Sequence, residues 1–426
     1  MKTDILYGRD ALTVHFPDEI DVTLVRKQPM IHLDNPELKL REAFQSPSSC
    51  QPLKQLAKTR KRACILICDI TRPVPHAVLL PPLIEELVAG GIPKENILLL
   101  VATGLHRPNE GDELREVIGS ETVFRSVPIA NHFARDRKAH ADLGRTASGI
   151  PILIDRRFTE ADLRITVGLV EPHFMAGYSG GRKLVAPGVA HCDTIFRLHA
   201  GNIMDHPRAA NCIIDGNPLH REQIEIIDSV GEIFALNVVI DEHRRIGFVN
   251  FGEVKESHAD AVAFMRRHAE VSFPRRFKTV VTSAAGYPLD KTFYQSIKGM
   301  VGVLDILEAG GTIIIASECS EGMGSPEFVE AQTNLCKFGP DRFMADVLDR
   351  NLAQIDEWQT QMLVKALRVG SIRLFTTGLK PDELAHTYVT PVASVVQATL
   401  ESVKTHRDPR VAVVPEGPYV IPICRG

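Results

Sequence analysis

A glycine-rich segment near the middle of the chain combines the residue types best suited to hold an anion. It runs from Glu171 to Gly188 and contains Ser179, Gly180, Gly181, Arg182 and Lys183. Glycines let backbone amides approach an anion closely, and the neighbouring Arg and Lys add positive charge. The segment is not a P-loop, because Arg182 stands where the second glycine after Gly177 would belong. It predicts phosphate binding, or a covalent link through Lys183 if that amine is deprotonated; a tight solvent-exposed turn is the structural alternative.

Two further polar segments follow runs of apolar residues. Asp69, Thr71 and Arg72 come directly after the run 63–68, and His106 follows the run 96–102. Arg can bind a carboxylate or phosphate bidentately, and a His can act as general acid or base near neutral pH. The structural alternatives are that Asp69 caps the next helix and pairs with Arg72, and that His106 is a polar surface residue.

The remaining candidates lie in three places along the chain. His173 belongs to the glycine-rich segment, and His199 lies in a helix predicted over 193–200 with Asp193 as its cap. As a neutral imidazole, His199 could bind a transition metal, or it could be a packed core residue. Gln295 and Lys298 share a helix face with Tyr294 beside it, which suits a carboxylate; a solvated helix end is the alternative.

The elements that position these residues alternate between strand and helix. The run 63–68 predicts a strand buried on both faces, followed by a helix over 75–89 and a second strand over 96–102. Further strands are predicted over 123–130 and 162–167. The alternation restarts after 273–277, with a strand over 279–283 and a helix over 292–307. Ligands of such sheets lie beyond the carboxyl ends of the strands, where the polar segments fall.

We therefore predict an α/β protein of two domains, each with a mostly parallel sheet flanked by helices. Residues 1–272 are predicted to form the N-terminal cofactor-binding domain. Residues 273–426 are predicted to form a C-terminal α/β domain that contributes substrate-binding residues. The active site should lie in the cleft between the two.

Composition excludes several classes of protein. The 426 residues are 44% hydrophobic and 24% charged with a net charge of −4, which is typical of a globular chain. A basic tract is absent and only 6% of residues are aromatic, so nucleic acid is not an expected partner. The sequence has neither an apolar leader nor a run long enough to span a membrane, and its eight cysteines contain no C-x-x-C pair. We expect a cytoplasmic enzyme with a small ligand.

Taken together, the motifs resemble the lactate racemase family, whose members use a nickel-pincer nucleotide. The resemblance rests on Asp69-Ile-Thr-Arg-Pro, Gly104-Leu-His-Arg107, Glu171-Pro-His173, Gly177-Tyr-Ser-Gly-Gly-Arg-Lys183, His199 and Tyr294-Gln-Ser-Ile-Lys298. These occur in the family's order. The last hundred residues add α/β character but no site signal.

The resemblance implies a role for each candidate residue. Lys183 would carry the cofactor, a pyridinium thioamide/thiocarboxylate mononucleotide, and His199 would bind its nickel. His106 and His173 would be the acid/base pair, one for each face of the substrate. The implied substrate-binding residues are Arg72, Tyr294, Gln295 and Lys298, and the implied nucleotide-binding residues are Asp69, Thr71, Ser179, Gly180, Gly181 and Arg182.

The implied activity is that of an isomerase, a racemase or epimerase of a small 2-hydroxy acid such as lactate. It would proceed by proton-coupled hydride transfer through a transient 2-keto acid, with the cofactor carrying the hard step. Cofactor-maturation enzymes are implied partners. Two alternatives stay open: a 2-hydroxyacid dehydrogenase with an atypical nucleotide site, which the lack of G-x-G-x-x-G disfavours, and a non-catalytic nucleotide-binding protein.

Overall fold

Two six-stranded sheets covered by helices form the framework of the computed structural model, which describes residues 1–241, 243–350 and 352–425. The strands are β1 (Lys2–Tyr7), β2 (Asp10–His15), β3 (Asp21–Leu24), β4 (Ala63–Cys68), β5 (Ile97–Ala102), β6 (Ile129–Asn131), β7 (His140–Arg145), β8 (Pro151–Asp155), β9 (Leu163–Leu169), β10 (Pro172–His173), β11 (Gly177–Tyr178), β12 (Phe234–Ile240), β13 (Ile246–Glu253), β14 (Glu270–Phe273), β15 (Phe277–Ser283), β16 (Leu307–Ala316), β17 (Gly370–Phe375), β18 (Thr390–Pro391), β19 (Arg410–Val414) and β20 (Ile421–Cys424).

The helices lie between these strands and cover the sheets. They are α1 (Pro36–Gln45), α2 (Leu53–Lys58), α3 (His76–Ala89), α4 (Gly111–Ile118), α5 (Glu121–Ser126), α6 (Arg156–Thr159), α7 (Arg182–Val185), α8 (Cys192–Leu198), α9 (Gly201–Met204), α10 (Pro218–Val230), α11 (Val254–Ala269), α12 (Phe293–Val301), α13 (Pro326–Asp349), α14 (Glu357–Val369), α15 (Pro381–Leu384) and α16 (Val395–His406). None of the helices in the described ranges is both long and apolar enough to cross a bilayer.

The first sheet has the strand order β13-β12-β9-β4-β5-β6 and is parallel except for the β12–β13 pair. The predicted strand over 63–68 is β4, the predicted helix is α3, and β5 follows as expected. The central strand β4 is buried along almost its whole length, which explains its unbroken apolar sequence. The predicted α/β fold with mostly parallel sheets is therefore confirmed.

The second sheet has the order β18-β17-β16-β15-β19-β3, and every neighbouring pair is parallel. Its edge strand β3 comes from the start of the chain, and the hairpin β1–β2 packs beside β15 and β16. The division into 1–272 and 273–426 stays a prediction. The strand pairing nevertheless places residues 21–24 with the second sheet rather than the first, which the sequence analysis did not anticipate.

Three local predictions were wrong. The first half of the predicted strand 123–130 belongs to helix α5, because the Ser120 hydroxyl accepts the Val123 N–H and caps a helix there. The strand β6 begins only at Ile129. Helix α8 is capped by the His191 ring, which accepts the Asp193 N–H, rather than by Asp193 itself. Helix α12 ends at Val301 rather than at 307, since the chain enters β16 at Leu307.

The two sheets share one apolar core. A continuous cluster of buried side chains includes Leu66 of the first sheet and Ile313 of the second. Beyond the carboxyl ends of β4, β5 and β9 lie the segments that begin at Asp69, Thr103 and Val170. These segments face the region where α12 of the second half approaches, and they hold the candidate site.

Candidate active site

Three cationic side chains from separate segments lie within electrostatic range of one another. Arg72 follows β4, Lys183 lies in α7 and Lys298 lies in α12. Burial lowers the pKa of Lys183 from 10.5 to about 7, and the charges of Arg72 and Lys298 add to the shift. Burial likewise lowers the pKa of Lys298 to about 7, with Arg72 contributing. Cations this poorly hydrated favour an anionic ligand, because a carboxylate or phosphate would offset their charge.

Arg72 lies just beyond the carboxyl end of β4 and is ion-paired with Glu171, which follows β9. Its Nη1 donates to Glu171 Oε1 at 2.7 Å, across two loops of the first sheet. Burial is the largest single effect and opposes the charge on Arg72, but Glu171, Cys68 and Asp69 together outweigh it and raise the arginine pKa. Tyr294 and Asp69 also lie within its electrostatic range. Arg72 therefore stays charged with a fixed orientation between the two halves of the chain.

His173 is buried among these cations. Burial lowers its pKa well below the ordinary value, and the charges of Lys183 and Arg72 lower it further. Its Nδ1 accepts the backbone N–H groups of Met175 (3.3 Å) and Ala176 (3.1 Å). Backbone amides can only donate, so the neutral ring carries its proton on Nε2.

His106 has the opposite tautomer. Its Nδ1 lies 2.6 Å from Oδ2 of the buried Asp69, whose other oxygen accepts the Thr71 hydroxyl at 2.6 Å. Burial is the largest single effect and raises the Asp69 pKa, but the hydrogen bonds of His106 and Thr71 and the charges of His106 and Arg72 together outweigh it and hold the pKa below its ordinary value. The carboxylate can only accept, so Nδ1 of His106 carries a proton, and in the neutral ring Nε2 presents the lone pair. The His106 side chain is 61% exposed, which leaves Nε2 accessible.

His199 is held as a neutral imidazole at the end of α8. Its Nδ1 donates to the Ile195 carbonyl at 2.8 Å, so Nε2 carries the lone pair. Burial lowers its pKa to about 4, with Lys183 contributing. The Trp358 ring packs against it, with 4.6 Å between ring centroids. A fixed, neutral imidazole with a free nitrogen suits a metal ligand.

Helix α12 supplies the candidates from the second half of the chain. The Tyr294 hydroxyl donates to Asp356 at 3.2 Å and accepts Trp358 Nε1–H at 3.2 Å. The side-chain oxygen of Gln295 is buried and has no hydrogen-bond partner among the described residues. Lys298 Nζ lies 5.7 Å from the centre of the Phe174 ring. The unpaired amide oxygen is therefore available to a ligand hydroxyl.

The glycine-rich segment is packed more tightly than its sequence predicts. Ser179 Oγ donates to the Leu169 carbonyl at 2.7 Å. A Cβ at Gly180 would lie 2.7 Å from Val170, and one at Gly181 would lie 3.2 Å from His258.

The Arg182 side chain is fully buried. It donates to the carbonyls of Ala176 and Tyr178 and contacts His258. The side chains of Ser179 and Arg182 thus brace the loop that presents Lys183, and any role of Ser179, Gly180, Gly181 and Arg182 in nucleotide binding stays a prediction.

Comparison with known proteins decides the family. The lactate racemase N-terminal domain model matches residues 7–211, and the C-terminal domain model matches residues 275–422. The chain is 30% identical over 425 residues to the lactate racemase of Thermoanaerobacterium thermosaccharolyticum, with 98% of each chain covered. The chain belongs to the lactate racemase family. It is 28% identical over 424 residues to the Lactiplantibacillus plantarum member, covering 98% of this chain and 99% of that one.

Solved structures agree with the family assignment. The lactate racemase apoprotein from T. thermosaccharolyticum superposes with a TM-score of 0.92 at 29% identity, with both chains fully covered. A protein from Thermotoga maritima shares the fold with a TM-score of 0.68 at 19% identity, over 93% of this chain and 100% of that one. The predicted class, a racemase among the isomerases, is therefore confirmed.

Three residues to which the sequence assigned no individual role hold candidate side chains in place. Glu171 orients Arg72, and Trp358 and Asp356 hold Tyr294. Trp358 lies in the last hundred residues, where no site signal was expected. The sequence did contain a feature that could have drawn attention to Trp358, since it is the single tryptophan of the chain.

Proposed function

We propose that this chain racemises a small 2-hydroxy acid, lactate or a close analogue, by proton-coupled hydride transfer to a nickel-pincer nucleotide joined to Lys183. The observation that carries the proposal is that two histidines have opposite tautomers: His173 lies among the cations, and His106 is held by Asp69, which lies within electrostatic range of Arg72. Racemisation needs proton transfer at both faces of the substrate, and these histidines come from separate loops.

The cationic group fits the substrate carboxylate. Arg72 and Lys298 approach from the two halves of the chain, and Arg72 can bind a carboxylate bidentately. The unpaired oxygen of Gln295 can accept the substrate hydroxyl or a water molecule. A bound carboxylate would offset the charge of cations that are already buried.

The residues present also fit the predicted cofactor. With a pKa of about 7, a large fraction of Lys183 is a neutral amine at physiological pH, the form that makes covalent bonds. Nε2 of His199 is the free nitrogen of a neutral ring, as a nickel ligand requires. When bound, the nucleotide would supply a reversible hydride acceptor, and its maturation enzymes would be partners of this chain.

The chain's own groups would move the proton. Nε2 of His106 accepts the hydroxyl proton of one enantiomer, and Asp69 stabilises the resulting imidazolium. His173 begins with its proton on Nε2, so it first serves as a hydrogen-bond donor. To accept the hydroxyl proton of the other enantiomer it must move the proton to Nδ1, which requires that Nδ1 leave the amides of Met175 and Ala176.

The test measures keto-acid formation in a single turnover of each pure enantiomer by cofactor-loaded protein. The two enantiomers have equal concentrations at equilibrium, so kcat/KM must be the same in both directions for every variant. Steady-state rates therefore cannot tell the roles of the two histidines apart. We therefore expect His106→Asn to form keto acid, trapped by rapid quench, from one enantiomer only, and His173→Asn from the other only. The exposed surface residue His15 provides the control, and His15→Asn should use both. The two-base proposal would be refuted if both variants failed to form keto acid from the same enantiomer, or if both still formed it from each enantiomer.

A further inference from the structure

A second group of possible metal ligands lies at the opposite end of α8 from His199. The ligand atoms of His191, Cys192 and Asp193 all lie within 4.8 Å of one another. A helix rises by about 1.5 Å per residue, so the eight residues from His191 to His199 separate the two places by about 12 Å. This group is therefore distinct from the proposed racemase site.

The spacing of the donor atoms is close to that of a tetrahedral ion. Cys192 Sγ lies 3.8 Å from the nitrogens of His191 and 3.8 Å from Asp193 Oδ1. At ordinary zinc bond lengths, tetrahedral ligands lie roughly 3.3–3.6 Å apart. Nδ1 of His191 accepts the Asp193 N–H, so Nδ1 carries the lone pair of the neutral ring, and it lies 3.4 Å from Asp193 Oδ2. A metal bound at Nδ1 would take the place of that backbone hydrogen bond. Small side-chain rotations would close the three donors around one cation.

A buried histidine beside this group supplies the second observation. His140 is fully buried, its Nδ1 bonds to the Asp136 carbonyl at 2.7 Å, and its Nε2 has no partner among the described residues. Its ring lies 5.1 Å from the His191 ring. His132 packs on His140 as well, but both of its nitrogens are bonded, to Asp155 and to the Ala190 carbonyl. An unpaired buried nitrogen costs stability, and a cation would satisfy it.

We propose that His140, His191, Cys192 and Asp193 form a second metal site that takes a divalent cation of the zinc class. This ligand set contains two imidazoles, a thiolate and a carboxylate. It suits an ion of intermediate softness such as Zn²⁺, and not Mg²⁺ or Ca²⁺, which prefer oxygen ligands alone. Binding converts the Cys192 thiol to a thiolate and releases one proton to solvent. The ion would tie β7, which begins at His140, to the start of the helix that ends at His199.

The test uses the full chain made in a host that lacks the nickel-pincer nucleotide, titrated with Co²⁺ as a spectroscopic substitute for Zn²⁺. We expect one equivalent of cobalt to give a thiolate-to-metal charge-transfer band and the intense visible bands of tetrahedral geometry, both lost on adding Zn²⁺. Cys192→Ser should lose the charge-transfer band. Cys336→Ser, at another partly buried cysteine, and His199→Ala should keep it.

Two results would overturn the proposal. One is the absence of a charge-transfer band at stoichiometric cobalt, or its survival in Cys192→Ser. The other is unchanged cobalt affinity in His140→Gln, for which we expect a loss of at least about tenfold. Because His140 is buried, thermal unfolding without metal establishes that this variant is folded. In the same assay Zn²⁺ should raise the Tm of the unaltered chain and leave that of Cys192→Ser unchanged.

Discussion

Replacing Asp69 by Asn removes the negative charge that faces His106 while keeping an oxygen that can accept its Nδ1–H. In water-poor surroundings with an effective dielectric constant of about 20, an imidazolium and a carboxylate about 4 Å apart attract by about 4 kcal/mol. The His106 side chain is 61% exposed, so solvent screens much of that attraction. A charge-assisted hydrogen bond of about 1.5–3 kcal/mol is the better measure. The expected loss in kcat is therefore roughly 10- to 150-fold.

The assay follows racemisation of lactate by chiral chromatography with cofactor-loaded protein. Asp155→Asn is the matched control, because Asp155 is also buried and lies 3.2 Å from a histidine, His132, away from the cationic group. That control should lower the Tm and leave kcat per folded molecule unchanged. A kcat for Asp69→Asn within about threefold of the unaltered chain would refute the role given to Asp69. An equal loss in Asp155→Asn would show general destabilisation instead.

Three further predictions concern the lysines and Trp358. Intact mass and peptide mapping of protein from a cofactor-making host should place a covalent adduct on Lys183. Lys298 is the control, because burial lowers both lysine pKa values to about 7, and it should carry no adduct. An adduct on Lys298, or no adduct at all, would contradict the assignment. Between pH 7 and 10.5 the unfolded chain binds more protons at Lys183 than the folded chain does, so stability rises with pH there. Thermal unfolding of the ligand-free protein should therefore show that Lys183→Met raises the Tm most at pH 7 and below. This increase in Tm should shrink towards pH 10.5. An increase that does not depend on pH would mean that packing and not charge is responsible. Trp358→Phe removes the hydrogen bond to Tyr294, worth about 1 kcal/mol, and should lower kcat/KM about fivefold. Trp358→Ala should lower kcat/KM further, because it also removes the ring that covers His199. Equal kcat/KM in both variants would show that the contact between the Trp358 and His199 rings does not contribute to activity.

Local sequence patterns predicted the central elements closely. The run 63–68 matched β4, because a strand buried on both faces must be apolar throughout. The same reasoning failed for 123–130, where β-branched and aromatic residues favour a strand but the Ser120 cap stabilises a helix. Strand propensity is a weak preference, and a satisfied helix end was enough to reverse it.

The sequence by itself determined which residues could do chemistry and that they follow parallel strands, since residue type and strand-end position are local properties. Tertiary structure decided how they pair. Only the fold shows that Asp69 fixes the tautomer of His106, that amides fix the opposite tautomer of His173, and that Trp358 reaches His199. It also commits the Arg182 guanidinium to backbone carbonyls. Tautomers, pKa values and packing depend on groups far apart along the chain, and their distances are set only when the two sheets come together.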